Sequence, residues 1–373
     1  MTNAVSRTAG IGCVAIVLVP LLIRVEAARQ PAATASGEIV IQSVTSAALK
    51  DNLLGDSAQR NVAVYLPPTY KHSPTRRYPT LYLLHGYLGN LQVFGARDGV
   101  PGYQGMQLVA TMDSLIARGA AKEMILVVPN GRNAYFGSFY TNSPVTGKWE
   151  DFIVQELVAW VDGNYRTLAA ADSRGIAGHS MGGYGAFTLA MKHPDVFGAV
   201  YALSPCCLGL EGDLGPDNPV WPKVAQVRSR GDLSASPRSA DEFYISAFVA
   251  LSAAFSPNAS KPELLIDLPI EVTDGRVVPR DDVQKAWRAK MPLYLVEENK
   301  QNLLKLKGIV LDYGAREEFS HIRTTTTGLS RELAKHGIAH TFEVYAGGTH
   351  ENRIRERLET KVFRFFSEVL RAP

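Results

Sequence analysis

The sequence predicts an α/β protein built on an open, mostly parallel, eight-stranded sheet with helices on both faces. Short runs rich in Val, Ile and Leu alternate with segments whose apolar residues recur every three or four positions. Several of these runs are apolar on both faces, which is typical of parallel strands covered by helices on each side. With 373 residues, 46% of them hydrophobic, the chain can bury one large core and is neither disordered nor disulfide-dense.

Eight strands are predicted in chain order, each a short run of β-branched or aliphatic residues bounded by turn residues. They are Glu38–Val44, Val62–Leu66, Thr80–Leu84, Met124–Val128, Arg174–Ala177, Gly198–Leu203, Gly308–Leu311 and Thr341–Tyr345. Amphipathic helices are predicted over Trp149–Tyr165, Met181–Lys192 and Ile354–Val369, where apolar side chains recur at helical spacing. This alternation of strand and helix indicates one domain built on a single sheet.

The stretch from about 208 to 303 interrupts the alternation and is predicted to be a cap inserted between two strands. It contains loop-forming sequence, an apolar helical stretch at Phe243–Phe255 and a possible strand at Leu264–Ile270. We therefore expect a single domain over residues 38–373 that includes this cap, and not two independently folded domains.

The first 27 residues are predicted to be a secretory signal peptide. Arg7 precedes an uncharged apolar run, Ile11–Ile23, and small residues follow as far as Ala27. This run is shorter than the roughly 20 residues of a membrane span, so an uncleaved anchor is the less favoured alternative. Residues 28–37 are predicted to be a flexible leader. We expect a secreted or periplasmic protein with no stable membrane association after cleavage.

Charge and cysteine content exclude several classes of function. The formal net charge is +3, from 39 basic and 36 acidic residues, which gives no reason to expect a nucleic-acid partner. Cys13 belongs to the predicted signal, and the adjacent Cys206 and Cys207 are expected to be free because neighbouring cysteines pair only through a strained ring. The chain has no HExxH or CxxC pattern, so neither a metal nor an organic cofactor is expected.

The segment Gly178–Gly182 (GHSMG) matches G-x-S-x-G, the pattern of a nucleophile elbow. A predicted strand precedes it and a glycine-rich predicted helix follows, which is the strand–turn–helix setting that an elbow needs. A serine that merely caps a helix is the less favoured alternative here. Ser180 is therefore the predicted nucleophile, and the neighbouring His179 is predicted to contact substrate.

A serine nucleophile needs a general base, and in open α/β hydrolases that base is a histidine late in the chain. His350 has the best position because it lies in a glycine-rich loop directly after the last predicted strand. His321, His336 and His340 also lie downstream, but the last two have the positions of a helix end and a strand start. His350 is therefore the predicted base.

The base needs an acid that orients it, and three carboxylates in the stretch LDYGAREEF are candidates. Asp312 ends the predicted strand and is expected to lie too early in the chain. Glu317 and Glu318 both fall in the loop beyond it, and spacing does not separate them.

An oxyanion hole requires two backbone N–H groups aimed at the acyl oxygen. One is predicted at Met181, the residue after the nucleophile. The other is predicted at Tyr87, in the loop Leu84–Gly89 that directly follows the third strand.

These motifs resemble the esterase family of α/β-hydrolases that includes feruloyl (cinnamoyl) esterases, S-formylglutathione hydrolases and the antigen 85 mycolyltransferases. The resemblance covers nearly all of the chain after the predicted signal and rests on segments such as RYPTLYLLHGYLGN, GHSMGGYGAF, KHPDVFGAVYALSP and FEVYAGGTH. It implies the α/β-hydrolase fold, with Ser180 as nucleophile, His350 as base and the Tyr87 and Met181 amides as oxyanion hole.

The resemblance also separates the two remaining acids. The family usually has an aspartate in a G-T-x-D-like stretch after the strand, and here Gly314–Glu317 (GARE) stands at that place, which implies Glu317. The loop Asn130–Ser143 resembles the part of the family that lines the acyl or alcohol pocket. Its aromatic residues are therefore expected to bind substrate: Tyr135, Phe136 and Tyr140.

The sequence thus predicts a secreted serine esterase that hydrolyses feruloyl, acetyl or other small acyl esters through an acyl-enzyme. Its expected substrate is a small-molecule or carbohydrate-linked ester. One alternative is an acyltransferase on the same scaffold, in which an alcohol replaces water. The other is a non-catalytic binding protein, against which the intact Ser180 and His350 argue. The sequence does not determine an oligomeric state.

Overall fold

The structure is a computed structural model that describes residues 1–4, 6, 10, 36–97 and 99–372. Residues 35–373 form one compact unit, which includes the segment predicted to be a cap. The predicted signal peptide and leader lie almost entirely outside the described residues. Within the described part of the chain, no helix is long and apolar enough to cross a membrane.

A single eight-stranded sheet forms the centre of this unit, and each predicted strand overlaps an observed one. The strands are β1 (Glu38–Thr45), β2 (Gln59–Leu66), β3 (Thr80–Leu84), β4 (Ile125–Pro129), β5 (Arg174–His179), β6 (Ala199–Leu203), β7 (Gly308–Gly314) and β8 (Thr341–Tyr345). Their order across the sheet is β1-β2-β4-β3-β5-β6-β7-β8. The β1–β2 and β2–β4 pairs are antiparallel and the others are parallel, which confirms the predicted fold class.

The central strands of the sheet are buried on both faces, as the sequence predicts. On β3, Leu81 and Leu83 pack into one apolar cluster while Tyr82 and Leu84 pack into another, because successive side chains of a strand point to opposite faces. The longer helices packed against these faces are Leu108–Ala117, Met181–Lys192 and Ser320–Lys335, and the inserted stretch adds the helices Ala240–Phe255 and Asp281–Arg288.

Two of the predicted helices are observed with a π-helical segment inside them. The first runs from Trp149–Asp151 through the π-helical Phe152–Leu157 into Val158–Asn164. The second runs from Ile354–Arg357 through the π-helical Leu358–Val362 into Phe363–Val369. Short helical turns complete the structure: Leu91–Phe94, Tyr103–Gly105, Ala171–Ser173, Gly212–Leu214, Trp221–Val224, Arg230–Asp232, Pro292–Tyr294 and Lys300–Leu303.

The inserted stretch between β6 and β7 contains the predicted helix but not the predicted strand. The expectation of a strand at Leu264–Ile270 is wrong, since most of this stretch is irregular. Leu265 has a φ of 59°, and Pro269 has no N–H to donate, so a continuous strand ladder cannot form there. A short hairpin begins only at its end, between Ile270–Thr273 and Arg276–Pro279.

The parallel strands bring four loops to one edge of the sheet. The carboxyl ends of β3, β5, β7 and β8 all lie at this edge, and the loops that follow them carry the residues singled out in the sequence. In open α/β sheets this carboxyl edge is where ligands bind.

Candidate active site

Ser180 occupies a sharp turn between β5 and the helix Met181–Lys192. Its backbone has φ 57° and ψ −117°, a region that a residue with a side chain rarely adopts. Two flanking glycines make the turn possible. A Cβ on Gly182 would lie 2.0 Å from the Leu84 carbonyl oxygen, and one on Gly178 would lie 2.2 Å from the Gly182 carbonyl oxygen. The turn therefore holds Ser180 at the carboxyl edge of the sheet.

His350 and Glu317 form a buried pair beside this turn. His350 Nδ1 lies 2.9 Å from Glu317 Oε2, and the Glu317 side chain has no exposed surface. The other oxygen of Glu317 accepts the N–H of Phe319 at 3.2 Å, which fixes the carboxylate. A carboxylate at Nδ1 holds the proton there and leaves Nε2 free to act as a base.

Glu318 has a different partner from its neighbour. Its Oε2 accepts the backbone N–H of His350 at 2.8 Å and does not contact the imidazole nitrogen that Glu317 holds. The two consecutive glutamates therefore fix the ring and the main chain of the same residue.

Asp312, the third candidate acid, is used elsewhere. Its Oδ2 accepts from Arg357 Nη2 at 2.6 Å and from the Tyr201 hydroxyl at 2.7 Å, and both partners are buried. Burial raises the pKa of Asp312, and the Arg357 guanidinium opposes that shift. Asp312, which the sequence places too early in the chain to be the acid, therefore forms a buried structural ion pair with Arg357.

The loop after β3 lies directly against the serine. A Cβ on Gly86 would be only 3.3 Å from Ser180 Cβ, so the next residue, Tyr87, has its backbone beside the nucleophile. Among the described residues, none accepts a hydrogen bond from the N–H of Tyr87 or of Met181. Both amides are therefore free to donate to an oxygen at this position.

His85 fixes the shape of that loop. Its Nδ1–H donates to the Gly86 carbonyl oxygen at 2.8 Å, and its Nε2 accepts the N–H of Gly131 at 2.8 Å. Burial lowers the pKa of His85 to about 4, so the ring is neutral at pH 7 and keeps this donor and acceptor arrangement.

His179 connects the nucleophile strand to the histidine loop. Its Nε2–H donates to the His350 carbonyl oxygen at 2.8 Å, and its Nδ1 lies 3.2 Å from the Tyr103 hydroxyl. Burial lowers the pKa of His179 well below its usual value, and the nearby His350 adds to that effect. A neutral His179 can therefore brace the loop that carries His350, a positioning contact that the sequence did not indicate.

Ser180 lies between two cavities of different character. An open groove of about 710 Å³ contains Ser180 and His350 and is lined further by polar residues such as Gln104, Thr349 and Asn352. A narrow pocket of about 30 Å³ contains Ser180 but not His350. Its walls are mostly apolar and include Phe139, Cys206, Phe243, Tyr244, Phe319 and His321.

Within the described residues, Ser180 Oγ makes no hydrogen bond. Ser180 and His350 line the same groove, but their side chains are not hydrogen-bonded to each other. Serine–histidine contacts of this kind often tighten only in the substrate complex.

The predicted substrate contacts of the Asn130–Ser143 loop need correction. The Tyr135 hydroxyl donates to the Leu264 carbonyl oxygen at 2.6 Å, and the Tyr140 hydroxyl donates to that of His85 at 3.1 Å, so both rings are packed beneath the loop. Phe136 lies under the Arg132 guanidinium and lines neither cavity. The hydroxyl groups of Tyr135 and Tyr140 donate to main-chain acceptors in the interior, and neither ring lines the groove.

Phe139 is the aromatic residue of this loop that faces the narrow pocket. Phe243 and Phe319 also line this pocket, although neither is among the residues predicted from the sequence to bind substrate. Phe243 begins the apolar stretch predicted for the cap, and that position is the one signal that could have indicated it. His179 does line the groove, next to His350.

Across the described residues, no group of His, Cys, Asp and Glu side chains is arranged to hold a metal ion. A mostly parallel sheet with a strained serine after β5 and a histidine after β8 defines the α/β-hydrolase class. Within that class, the chain belongs to the family described as Putative esterase, which matches residues 57–365.

Two curated relatives carry names that match this family. An esterase of Mycobacterium tuberculosis is 38% identical over 139 residues, which are 35% of this chain and 26% of that protein. An endo-1,4-beta-xylanase/feruloyl esterase of Xylanibacter ruminicola is 33% identical over 138 residues, which are 36% of this chain and 18% of that protein. The matched region spans about a quarter or less of the length of these relatives.

Solved structures resemble nearly the whole chain. A ferulic acid esterase has a TM-score of 0.60 at 20% identity, covering 90% of this chain and 99% of that one. An S-formylglutathione hydrolase from Agrobacterium tumefaciens has a TM-score of 0.55 at 18% identity, covering 90% of this chain and 97% of that one. At these identities the likeness shows the α/β-hydrolase fold.

Proposed function

We propose that the protein is an exported carboxylic ester hydrolase in which Ser180 forms an acyl-enzyme. The observation that carries this proposal is that Ser180, in its strained turn, shares one groove with a histidine whose Nδ1 lies 2.9 Å from a buried carboxylate. The family membership and the named relatives support the same chemistry.

In this mechanism His350 Nε2 takes the Ser180 Oγ proton as that oxygen attacks the ester carbonyl carbon. The negative charge that develops on the carbonyl oxygen is held by the N–H groups of Tyr87 and Met181. His350 then gives the proton to the leaving alcohol. Water attacks the acyl-enzyme with His350 again as base, which releases the acid and restores the serine. Glu317 stabilises the imidazolium that forms in each step.

The positions of the two cavities suggest where the alcohol and the acyl group of the ester bind. The leaving alcohol must lie near His350, which protonates it, so the alcohol occupies the open groove. The acyl group then extends into the narrow pocket, where Phe139, Phe243 and Phe319 suit a short or flat apolar group. The open groove is lined by both polar and apolar residues and has room for a sugar alcohol, and the relative named as a feruloyl esterase supports an aromatic acyl group.

The decisive variant is Ser180→Ala. We expect it to lower kcat on p-nitrophenyl acetate by at least about 10⁴-fold, because the acyl-enzyme cannot form, with an unchanged far-UV circular dichroism spectrum. A fluorophosphonate probe should label the wild type at Ser180 alone and leave the variant unlabelled. Ser236→Ala, on an exposed loop of the inserted stretch, is the matched control and should keep full activity. Activity retained by Ser180→Ala would refute the proposal.

Product analysis separates hydrolysis from acyl transfer. With a feruloyl or acetyl ester and an added sugar alcohol, hydrolysis releases the free acid as the main product. A new ester in excess over the acid would instead identify an acyltransferase.

Export has its own test. The basic start and apolar run of the first 27 residues support a cleaved signal, so the mature protein should be found outside the cytoplasm and begin at Ala28. A mature protein that retains Arg7 and the apolar run would contradict this.

A further inference from the structure

A second cluster of polar side chains lies outside the candidate triad, and two of its three members line the narrow pocket. It consists of Cys206, which follows β6, His321 in the helix Ser320–Lys335, and Asp213 in the inserted stretch. The N–H of Cys206 donates to the Ser180 carbonyl oxygen at 3.1 Å, so this cysteine adjoins the nucleophile turn. The mechanism above uses none of the three.

Asp213 is held as a carboxylate by four donors. Its Oδ1 accepts the backbone N–H of His321 at 2.9 Å and also contacts His321 Nδ1, while its Oδ2 accepts the N–H of Ser320 at 3.1 Å and the Tyr244 hydroxyl. Burial alone would raise its pKa, but the hydrogen bonds from His321 and Tyr244 hold the pKa of Asp213 well below its usual range. Asp213 therefore carries a negative charge at neutral pH.

His321 uses only one side of its ring for this contact. Its Nε2 has no hydrogen-bond partner among the described residues, although the residue is only 5% exposed and lines the pocket. Burial lowers the pKa of His321, but Asp213 and Cys206 together raise it to about 9. A buried imidazolium thus presents an unused N–H donor to the pocket.

The Cys206 thiol lines the same pocket as this imidazolium. Burial alone would raise its pKa, but Cys207 and His321 lower the pKa of Cys206 to about 7, and His350 contributes in the same direction. The adjacent Cys207 behaves in the opposite way, because burial and the neighbouring Cys206 raise its pKa well above the usual value. At neutral pH the two thiols therefore differ in charge: Cys206 is partly thiolate, and thiolates are the reactive form.

We propose that Cys206 is a modification site that reacts reversibly with small, uncharged electrophilic sulfur compounds, and that its modification closes the acyl pocket. The geometric basis is that Cys206 and His321, whose ring Asp213 holds from behind, line the pocket that Ser180 shares. Cys207 lines this pocket too, but it is the more deeply buried of the two cysteines, at 2% exposed against 7%. Uncharged reagents are favoured because aromatic and aliphatic side chains make up most of the remaining wall.

The reaction balances without another reactant. The Cys206 thiolate attacks one sulfur of a thiosulfonate or disulfide, a new S–S bond forms, and the reagent's S–S bond breaks. The leaving sulfinate or thiolate departs with the electron pair, and the proton that the thiol loses when it ionises goes to solvent, because His321 is already an imidazolium. A second thiol such as dithiothreitol reverses the exchange.

The test uses methyl methanethiosulfonate on the full-length wild-type protein. Mass mapping should find one methylthio group on Cys206 while Cys207 remains free. The rate of modification should rise with pH to a midpoint near 7, because only the thiolate reacts. In His321→Gln, whose folding is checked by circular dichroism, the midpoint should move above about 8.5. Modification of Cys207 in place of Cys206, or a wild-type midpoint of 8.5 or higher, overturns the proposal.

The expected loss of ester hydrolysis when Cys206 is modified rests on the proposed function, whereas the reactivity of the thiol does not. Modified wild type should lose more than nine-tenths of its ester hydrolysis and its fluorophosphonate labelling, and dithiothreitol should restore both. Each variant is compared with its own untreated activity: Cys206→Ala should resist the reagent, and Cys207→Ala should remain sensitive. Full ester hydrolysis by protein in which Cys206 is fully modified would refute the proposal that modification closes the acyl pocket. If the untreated protein hydrolyses no ester, the proposed function fails while the mass and pH data still decide the thiol chemistry.

Discussion

Replacing Glu317 with glutamine removes the negative charge that faces the candidate base while keeping the size of the side chain. Glu317 Oε2 and His350 Nδ1 are 2.9 Å apart and buried. With an effective dielectric constant of about 20, a carboxylate and an imidazolium at that distance attract by about 6 kcal/mol. Since about 1.4 kcal/mol corresponds to a factor of ten in rate, up to four orders of magnitude depend on this charge. A glutamine amide can also donate to Nδ1 and favour the wrong tautomer. We expect kcat to fall by about 10³–10⁴-fold.

Glu318→Gln is the matched control, because it is the same change one residue further along. Glu318 accepts the backbone N–H of His350 at 2.8 Å, and a glutamine carbonyl oxygen can accept the same bond. The loss should be less than about tenfold, the difference between a charged and a neutral acceptor. The assay is kcat and KM on p-nitrophenyl acetate, with circular dichroism to check folding, and KM should change little in both variants. Wild-type activity in Glu317→Gln, or an equal loss in Glu318→Gln, would refute the assignment of the acid.

Two further predictions concern the fold around the site. Gly182→Ala should destabilise the protein by about 3 kcal/mol in urea unfolding, since its Cβ would lie 2.0 Å from the Leu84 carbonyl oxygen and backbone would have to move. Gly163→Ala, a helical position with open space around its Cβ, should be neutral or stabilise by up to about 1 kcal/mol, and equal losses in both would contradict the steric argument. Asp312→Asn should cost about 3 kcal/mol of stability because it leaves the Arg357 guanidinium without its buried partner. Its kcat per folded molecule should stay near that of the wild type, and a large loss of kcat at unchanged stability would make Asp312 the acid.

Much of the fold could be predicted because the relevant signals are local. A strand buried on both faces needs a continuous apolar run, so Thr80–Leu84 was predicted with its observed bounds. The edge strand Thr341–Tyr345, in which only one residue is buried, was also predicted with its observed bounds, from its β-branched and aromatic residues. The elbow is local as well: glycines at 178 and 182 are required by backbone contacts of 2.2 and 2.0 Å, and they stand two residues either side of Ser180. The expected strand at Leu264–Ile270 failed because an apolar composition does not reveal a positive φ at Leu265.

Which side chains contact each other at the site is harder to predict from the sequence. Spacing could not choose between Glu317 and Glu318, because consecutive side chains in a loop point in different directions and only the loop path decides which one meets the imidazole. The same holds for Tyr135 and Tyr140, whose hydroxyl groups find main-chain acceptors in the interior. The sequence of a loop is the same whether its aromatic rings face a pocket or pack beneath it.

The sequence by itself therefore determined the class of sheet, the order of its strands along the chain and the serine turn, all features set by hydrophobic pattern and local backbone geometry. The tertiary structure alone decided which carboxylate faces His350, which aromatic residues line the acyl pocket, and that Cys206 and His321 share its wall. The physical reason is distance along the chain. Burial, charge and hydrogen bonding at the site arise between residues that are remote in sequence, and those effects exist only once the sheet has brought the loops together.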